Sequence, residues 1–222
     1  MNDSYNIYFA GELFDHKDLI GNKLLAIFIE KMSQGQYRCI LPQDQDLASS
    51  TEQAIRDKLL YLLTRSDLAL FNFDGSDLDS GTVVEYVMAK FLDIPSVILR
   101  TDFRKGGDQQ KGDAWNLMCS FYPRTKIVEL NSAIHYHKAI KDKENHDYHG
   151  IINSYYTFKA TKIIEAFHEV RQTPSLACQT EIDPATIYDW ARHVAGKSYE
   201  QMWPSKAEMN AMIERKRSRQ LL

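Results

Sequence analysis

The first 131 residues alternate short apolar runs with longer stretches in which apolar residues recur at helical spacing. The short runs predict five β-strands, at residues 5–10, 37–41, 68–73, 96–100 and 126–130. The longer stretches predict helices at residues 17–32, 51–65 and 82–92. Strands that alternate with helices in this way form a parallel sheet with helices on both faces. We therefore predict an α/β domain of flavodoxin-like (Rossmann-like) type over residues 1–131, with ligands at the carboxyl ends of the strands.

Residues 132–222 follow a different pattern, which predicts a polar linker and an all-helical C-terminal extension. The segment 131–150 is polar and contains four of the seven histidines, which indicates a surface connection: they are His135, His137, His146 and His149. Beyond it, helical spacing of apolar residues predicts helices at residues 151–170, 184–195 and 205–217.

Composition narrows the functional classes. The 222 residues include 27 Lys and Arg against 30 Asp and Glu, and a net charge of -3 disfavours binding to polymeric nucleic acid. No apolar run approaches the roughly 20 residues that cross a bilayer, and the N-terminus enters a strand without the regions of a secretory signal. Three widely separated cysteines indicate reduced thiols. We expect a soluble, cytoplasmic protein that does not bind membranes.

A group of carboxylates surrounds the third predicted strand. Its members are Asp67, Asp74, Asp77, Asp79 and Glu85. Taken alone, Thr82-x-x-Glu85 is a capping box, in which the glutamate bonds the backbone of the helix cap, and loop aspartates commonly stabilise turns. The loop lacks the regular ligand spacing of a calcium site. Helix capping and turn formation could therefore account for all of these carboxylates without any catalytic role.

The functional interpretation is glycosyl chemistry. A carboxylate at a helix N-terminus is held ionised by the local positive potential, which suits a nucleophile. Glycosyl transfer uses two carboxyl groups in different environments, because one attacks the anomeric carbon and the other protonates the leaving group. The carboxylates around the third strand supply candidates for both roles.

The chain resembles the nucleoside 2-deoxyribosyltransferase family in four segments that occur in the right order. They are Ile7-Tyr8-Phe9-Ala10-Gly11 with Phe14, Leu41-Pro42-Gln43-Asp44-Gln45, Ser66-Asp67 followed by Asp79-x-Gly81-Thr82-x-x-Glu85, and Asn116-Leu117-Met118. The resemblance implies a retaining double displacement on a 2'-deoxyribonucleoside, through a deoxyribosyl ester, with a free nucleobase as the second reactant. It implies no cofactor and no metal, since carboxylates alone carry this chemistry.

The resemblance also implies a role for each matched residue. Glu85 is the expected nucleophile, and Asp67 and Asp79 are expected to bind substrate and to manage the proton on the leaving base. Asn116 is expected to hold a sugar hydroxyl in the active site of a neighbouring subunit, which implies a homo-oligomer. The other expected substrate-binding residues are Tyr8, Gly11, Phe14, Gln43 and Met118. Tyr8 also has a structural interpretation, as an aromatic residue packed in the core.

Three questions stay open at the level of sequence. The first is whether the enzyme instead hydrolyses deoxynucleosides or their 5'-monophosphates, although the acidic and apolar turn at residues 11–16 disfavours a phosphate. The second is whether the chain only binds a nucleoside or nucleotide, which would require Glu85 to be a helix cap. The third is which residue orients Glu85. Some members of the family that the chain resembles end shortly after the fifth strand with a tyrosine near the nucleophile, whereas this chain continues for about ninety residues past that strand. Candidates are Tyr155, Tyr156 and Tyr188.

Overall fold

Five parallel strands form one sheet in the order β2-β1-β3-β4-β5. The computed structural model describes residues 4–45, 51–109, 111–142, 147–203 and 205–222. The strands are β1 (Tyr5–Ala10), β2 (Tyr37–Ile40), β3 (Leu68–Asn72), β4 (Ser96–Arg100) and β5 (Thr125–Glu129). Each bound lies within one residue of its prediction, and the strand order is the flavodoxin-like one. The predicted fold class is therefore confirmed.

Nine α-helices occur in the described ranges. They are α1 (His16–Met32), α2 (Glu52–Arg65), α3 (Ser80–Phe91), α4 (Ser132–Lys141), α5 (Tyr148–Arg171), α6 (Leu176–Thr180), α7 (Pro184–Ala195), α8 (Lys197–Gln201) and α9 (Lys206–Ser218). The predicted surface connection at residues 131–150 is partly wrong, because α4 occupies its first half. Asn131 caps this helix by accepting a hydrogen bond from the Ile134 amide at 3.0 Å. His146 of the histidine group lies outside the described residues.

Side chains of β1 alternate between two cores, one on each face of the sheet. Ile7 and Phe9 pack with residues of α1 and α5 on one face. Tyr8 and Ala10 pack on the other face with residues of α3, α7 and α9. Both faces are apolar because a parallel sheet is covered on both sides. The division of the chain at residue 131 stays a prediction, and the helices after that residue cover both faces of the sheet.

The remaining global features concern membranes and thiols. In the part of the chain that the structure describes, no helix is both long enough and apolar enough to cross a membrane. Cys39, Cys119 and Cys178 are all free thiols. Cys39 lies in β2, where burial raises the pKa of its thiol.

Candidate active site

A cleft of about 680 Å³ opens at the carboxyl ends of β1 and β2, beside the start of α3. This volume falls in the usual range for a small-molecule site. Gly11 follows β1, Gln43 follows β2, and Asp79 and Glu85 come from the start of α3. The site therefore forms where ligands are expected in a doubly wound sheet.

Glu85 is held in this cleft by Tyr8. The Tyr8 hydroxyl donates a hydrogen bond to Oε1 of Glu85 at 2.6 Å. Tyr8 is fully buried in β1, so its ring packs in the core while its hydroxyl reaches the cleft. The candidates Tyr155, Tyr156 and Tyr188 do not make this contact; the Tyr188 hydroxyl donates to the Leu92 carbonyl. The residue that orients Glu85 thus lies in the first strand.

Burial raises the pKa of Glu85 from 4.5 to about 7. The hydrogen bond from Tyr8 opposes this rise, and the charge of Asp79 adds to it. Desolvation therefore acts against the expected effect of the helix N-terminus, which favours the ionised form of Glu85. The effect of the helix N-terminus falls off within the first turn, and Glu85, the sixth residue of α3, lies in its second turn.

Asp79, and not Thr82, caps α3. Its Oδ2 accepts hydrogen bonds from the backbone amide and the hydroxyl of Thr82, both at 2.7 Å. The helix consequently begins at Ser80, two residues before its predicted start. The capping-box interpretation requires Glu85 to bond the amide of Thr82, but that amide is already bonded to Asp79. Glu85 has no capping role, and its carboxylate is available for chemistry.

The turn after β1 approaches β3 closely at Gly11. A Cβ atom on Gly11 would lie 3.0 Å from Cβ of Asn72, which is tighter than ordinary packing. Asn72 donates to Asn22 at 3.3 Å, and Asn22 donates to the Glu12 carbonyl at 2.9 Å, so this turn is bonded to α1. A side chain at position 11 would therefore require Asn72 to shift by a few tenths of an ångström at the floor of the cleft.

The expected base-binding residues lie at the opposite wall and the rim. Gln43 donates through Nε2 to the Leu19 carbonyl at 2.5 Å, which fixes its side chain beside the cleft. Phe14 lines the rim and is 78% exposed. Its ring is free to contact a planar ligand without first leaving a core.

Four apolar side chains that motif reasoning missed also line the cleft. They are Leu13, Leu19, Ile55 and Leu59. Ile55 and Leu59 are four residues apart on α2, so they share one helix face. Their spacing in the predicted helix was the available signal, but it indicated only a buried face. The cleft is therefore apolar on the α2 side and carboxylate-bearing on the α3 side.

The structure does not bring Asp67 into this site. Asp67 precedes β3 and lies at the amino end of the sheet, fully buried. Its carboxylate accepts hydrogen bonds from Arg215 at 3.0 Å, Arg219 at 2.8 Å and the Asn6 amide at 2.9 Å. These partners use both of its oxygens. This position does not support the expected part of Asp67 in managing the proton on the leaving base.

Two further carboxylates from the group around the third strand also lie outside the main cleft. Asp74 accepts hydrogen bonds from the Thr101 amide at 2.5 Å and the Asp102 amide at 2.7 Å. It therefore ties the loop after β3 to the loop after β4. Asp77 lies in a second cleft. Of the five clustered carboxylates, only Asp79 and Glu85 line the main cleft.

Asn116 and Met118 line the second cleft, of about 700 Å³, on the other side of the α3 N-terminus. Asn116 Oδ1 accepts a hydrogen bond from the Met118 amide at 2.9 Å, and Met118 is 69% exposed. The two clefts share Ser80. Within one chain, the structure therefore does not place Asn116 beside Glu85.

The family model for nucleoside 2-deoxyribosyltransferase matches residues 7–118, just over half of the chain. The chain belongs to the nucleoside 2-deoxyribosyltransferase family. The match covers β1 to the Asn116-Leu117-Met118 segment, and all residues of the main cleft fall within it. The helices α4 to α9 lie outside the matched range.

Three solved structures are similar to this family member. A conserved protein from Enterococcus faecalis V583 is 24% identical, with a TM-score of 0.48, over 59% of this chain and 94% of that one. A 2-desoxiribosyltransferase from Leishmania mexicana is 21% identical, with a TM-score of 0.43, over 55% and 89%. A 2-deoxyribosyltransferase from Bacillus psychrosaccharolyticus is 14% identical, with a TM-score of 0.44, over 66% and 95%. Comparison with curated proteins finds no match.

The side chains in the described part of this deoxyribosyltransferase-family chain do not indicate a metal site. Across residues 4–45, 51–109, 111–142, 147–203 and 205–222, no group of three or more His, Cys, Asp or Glu side chains is arranged to hold a metal ion. In the polar linker, the ring of His135 stacks on Phe158 at 4.2 Å.

Proposed function

We propose that this protein transfers the 2-deoxyribosyl group between nucleobases of 2'-deoxyribonucleosides. The observation that carries the proposal is the position of the Glu85 carboxylate, which accepts a hydrogen bond from the Tyr8 hydroxyl in the cleft at 2.6 Å. Because Asp79 caps α3, Glu85 is not used as a helix cap. Family membership supports the same reaction class. The alternative of a binding module needs Glu85 as a cap, and the hydrogen bonds of Asp79 oppose that.

The reaction proceeds as a retaining double displacement. Ionised Glu85 attacks the anomeric carbon of the sugar, the bond to the first base breaks, and that base leaves with a proton. A second base then attacks the same carbon and displaces Glu85, and the proton returns to the enzyme. The anomeric configuration is retained because the carbon is inverted twice. No cofactor enters either step.

Tyr8 assists as the donor that holds the charged form of Glu85. A short hydrogen bond from a hydroxyl to a carboxylate is among the stronger protein hydrogen bonds. With the Glu85 pKa raised to about 7, a substantial fraction of the enzyme is ionised at neutral pH. The carboxylate that forms is poorly solvated and therefore reactive toward the developing oxocarbenium centre.

Asp79 is proposed to carry the proton to the departing base, and it takes up that proton from solvent before the bond to the sugar breaks. It lines the cleft together with Glu85, whereas Asp67 lies at the opposite edge of the sheet. A positioned acid of this kind contributes typically about 10²- to 10⁴-fold to the rate. Asp79 therefore has two roles, as the cap of α3 and as the proton carrier.

The preferred substrate is an unphosphorylated nucleoside. Of the described residues that line the main cleft, none is lysine, arginine or histidine, and two are carboxylates. A 5'-phosphate has a charge of about -1.5 to -2 at neutral pH and would be repelled without a compensating cation. Hydrolysis of deoxynucleoside 5'-monophosphates is consequently the less favoured alternative.

The active unit is proposed to be a homo-oligomer in which Asn116 completes the site of a neighbouring subunit. Asn116 and the exposed Met118 lie in the second cleft, away from Glu85 of the same chain. Leu117 and Phe121 are exposed as well, and a group of exposed apolar side chains is typical of an interface. Closed symmetric assemblies are the usual solution for such an arrangement.

The test is a base-exchange assay. The pure protein is incubated with a 2'-deoxynucleoside, with and without a different free base, and products are separated by chromatography. A new deoxynucleoside that forms only with the acceptor base is the expected result. Release of free base and deoxyribose regardless of acceptor would make the protein a hydrolase. No turnover of nucleosides or their monophosphates would favour the binding module.

A further inference from the structure

We infer that Ser198, in the C-terminal extension, is a positioning residue that holds α2 in place and thereby sets one wall of the substrate cleft. The inference rests on the proposed function, because the cleft is taken to bind the nucleoside. It assigns a role in substrate binding to a segment outside the family match, which ends at residue 118.

The two faces of α2 have different partners. Ile55 and Leu59 line the main cleft and also a groove of about 500 Å³ that continues past Glu85 between α2 and α3. Asp57 lies midway between them in sequence, which places it on the opposite side of the helix. It is 1% exposed. Any movement of Asp57 is therefore transmitted through one rigid helix to the cleft wall.

Ser198 is the contact that connects Asp57 to the extension. The Ser198 hydroxyl donates to Oδ2 of Asp57, and its oxygen accepts from Nε2 of Gln53 at 2.7 Å. The other oxygen of Asp57 accepts from Nε of its neighbour Arg56 at 2.8 Å. A single hydroxyl thus bonds two residues of α2 at once, one as donor and one as acceptor.

A second bond strengthens the same junction. Arg56 donates through Nη2 to the Ala195 carbonyl at 2.8 Å, at the end of α7. Together, Arg56 and Ser198 join the N-terminal half of α2 to the α7–α8 corner. Further along α2, Thr64 and Tyr199 share a hydrogen bond of 2.7 Å between their hydroxyls. Because that bond holds the C-terminal end of α2, loss of the Ser198 hydroxyl is expected to release the end that carries Ile55.

A buried carboxylate that loses one of its donors is strongly destabilised unless it moves to another donor or to water. In a Ser198→Ala variant, Asp57 would retain Arg56 alone. The helix would then populate positions in which Asp57 is better solvated and the cleft wall is displaced. In the described part of the chain, α2 makes no hydrogen bond to Glu85 or Tyr8, so molecules in which the cleft wall is in place carry out the chemical step as wild type does.

The kinetic consequence is a rise in KM with kcat preserved. Apparent affinity falls by the fraction of molecules whose site is competent to bind, so a competent fraction of about one third raises KM about threefold. A change in KM at constant kcat is what loss of uniform binding produces. General loss of structure would instead lower the amount of active enzyme, and with it kcat.

The experiment compares Ser198→Ala with Ser198→Thr and with Ser218→Ala. Threonine keeps the hydroxyl and is expected to restore KM to within about twofold of wild type. Ser218 is an exposed serine of the extension whose hydroxyl bonds the Arg215 carbonyl, so its alanine variant is a matched control that leaves α2 untouched. Ser198→Ala should raise KM for the deoxynucleoside at least about threefold, with kcat within about twofold.

Hydrogen exchange of the α2 amides supplies a readout that does not depend on activity. Exchange is expected to accelerate in residues 52–65 of Ser198→Ala, and to remain unchanged in α3 and in Ser218→Ala. If Ser198→Ala does not fold, Gln53→Ala removes the other hydrogen bond of the Ser198 hydroxyl from an exposed position and keeps the bond to Asp57. It should move both readouts in the same direction by a smaller amount.

The outcomes separate this inference from the proposed function. If wild type turns over deoxynucleosides and Ser198→Ala keeps its KM and its α2 protection, the inference is overturned. A fall in kcat at constant KM also overturns it. If wild type turns over no deoxynucleoside, the proposed function fails, and the exchange rates of α2 alone decide whether Ser198 anchors the helix.

Discussion

Replacing Glu85 by glutamine is expected to abolish turnover and, at alkaline pH, to stabilise the fold. Glutamine has the size of glutamate and retains an oxygen that accepts the hydrogen bond from Tyr8. It removes only the ionisable group. The difference in stability between the variant and wild type therefore measures how much the charged Glu85 carboxylate destabilises the folded protein.

The magnitude follows from the pKa of Glu85 in the folded and unfolded chain. Folding raises this pKa from 4.5 to about 7. The stabilising effect of the bound proton is full below pH 4.5 and is lost as pH rises to about 7, because the unfolded chain releases the proton first. Each unit of pKa difference is worth about 1.36 kcal/mol, so the full loss is about 3 kcal/mol.

Urea unfolding of wild type and Glu85→Gln at about pH 5 and about pH 8.5 measures this difference directly. The variant should exceed wild type by about 3 kcal/mol at the higher pH and by about 1 kcal/mol or less at the lower. Glu165→Gln is the control, since Glu165 forms an exposed ion pair with Lys162 at 2.7 Å. Such a pair contributes about 0–1 kcal/mol, with little change between the two pH values.

Equal stability of Glu85→Gln and wild type at the higher pH would contradict a raised pKa of Glu85. That result would mean that Glu85 is well solvated in the folded protein. A gain of equal size at both pH values would also refute it, because a charge effect must follow the titration of the carboxyl group.

Three further predictions concern other residues. Tyr8→Phe removes the hydrogen bond that lowers the Glu85 pKa, so the limb of kcat/KM that rises with pH should move to higher pH; an unshifted profile would contradict this. Arg219→Ala removes one of the two arginines that pair with buried Asp67 and leaves Arg215 in place, so it should lower the free energy of unfolding by about 2 kcal/mol while kcat is retained. A fall in kcat as well would indicate that Asp67 takes part in catalysis. A mixture of inactive Asn116→Ala and Glu85→Gln subunits should regain activity after subunit exchange, and continued inactivity of verified mixed oligomers would count against a shared site.

The sheet was predictable because a parallel sheet is built from local patterns. Apolar runs of strand length, and helical spacing between them, are properties of neighbouring residues. The strands β1 to β5 and the helices α1 to α3 differ from the predicted ones by only one or two residues at their ends. The start of α3 was misplaced because two caps competed for it. Asp79 and Thr82 are both good cap residues, and only the structure shows that the Thr82 amide bonds Asp79.

The position of Asp67 could not be predicted by matching motifs, because it depends on the direction of β3 in the sheet. It precedes β3, whereas Asp79 follows it, and a five-residue strand is about 17 Å long. The direction of β3 alone therefore places the two carboxylates at opposite ends of the strands. The partners of Asp67 are Arg215 and Arg219, about 150 residues away in sequence, and no local pattern indicates a contact over that distance.

The solvation of Glu85 is not predictable from the sequence for a related reason. A helix terminus is visible in sequence, but desolvation depends on what packs around the carboxyl group. Here the surroundings include Tyr8 from β1 and the apolar wall of α2, which tertiary packing brings together. The helical pattern of the C-terminal extension was likewise predictable, while its contact with α2 through Ser198 was not.

The covalent intermediate on Glu85 is the central claim, and trapping it is the most direct test. Wild type is incubated with a deoxynucleoside without an acceptor base, quenched in acid, digested, and examined by peptide mass spectrometry, with Glu85→Gln treated in parallel. A deoxyribosyl adduct is expected on the peptide that contains Glu85, and it should be absent from the variant and lost when acceptor base is added before the quench. Base exchange that proceeds with no adduct, or with the adduct on another residue, would contradict it.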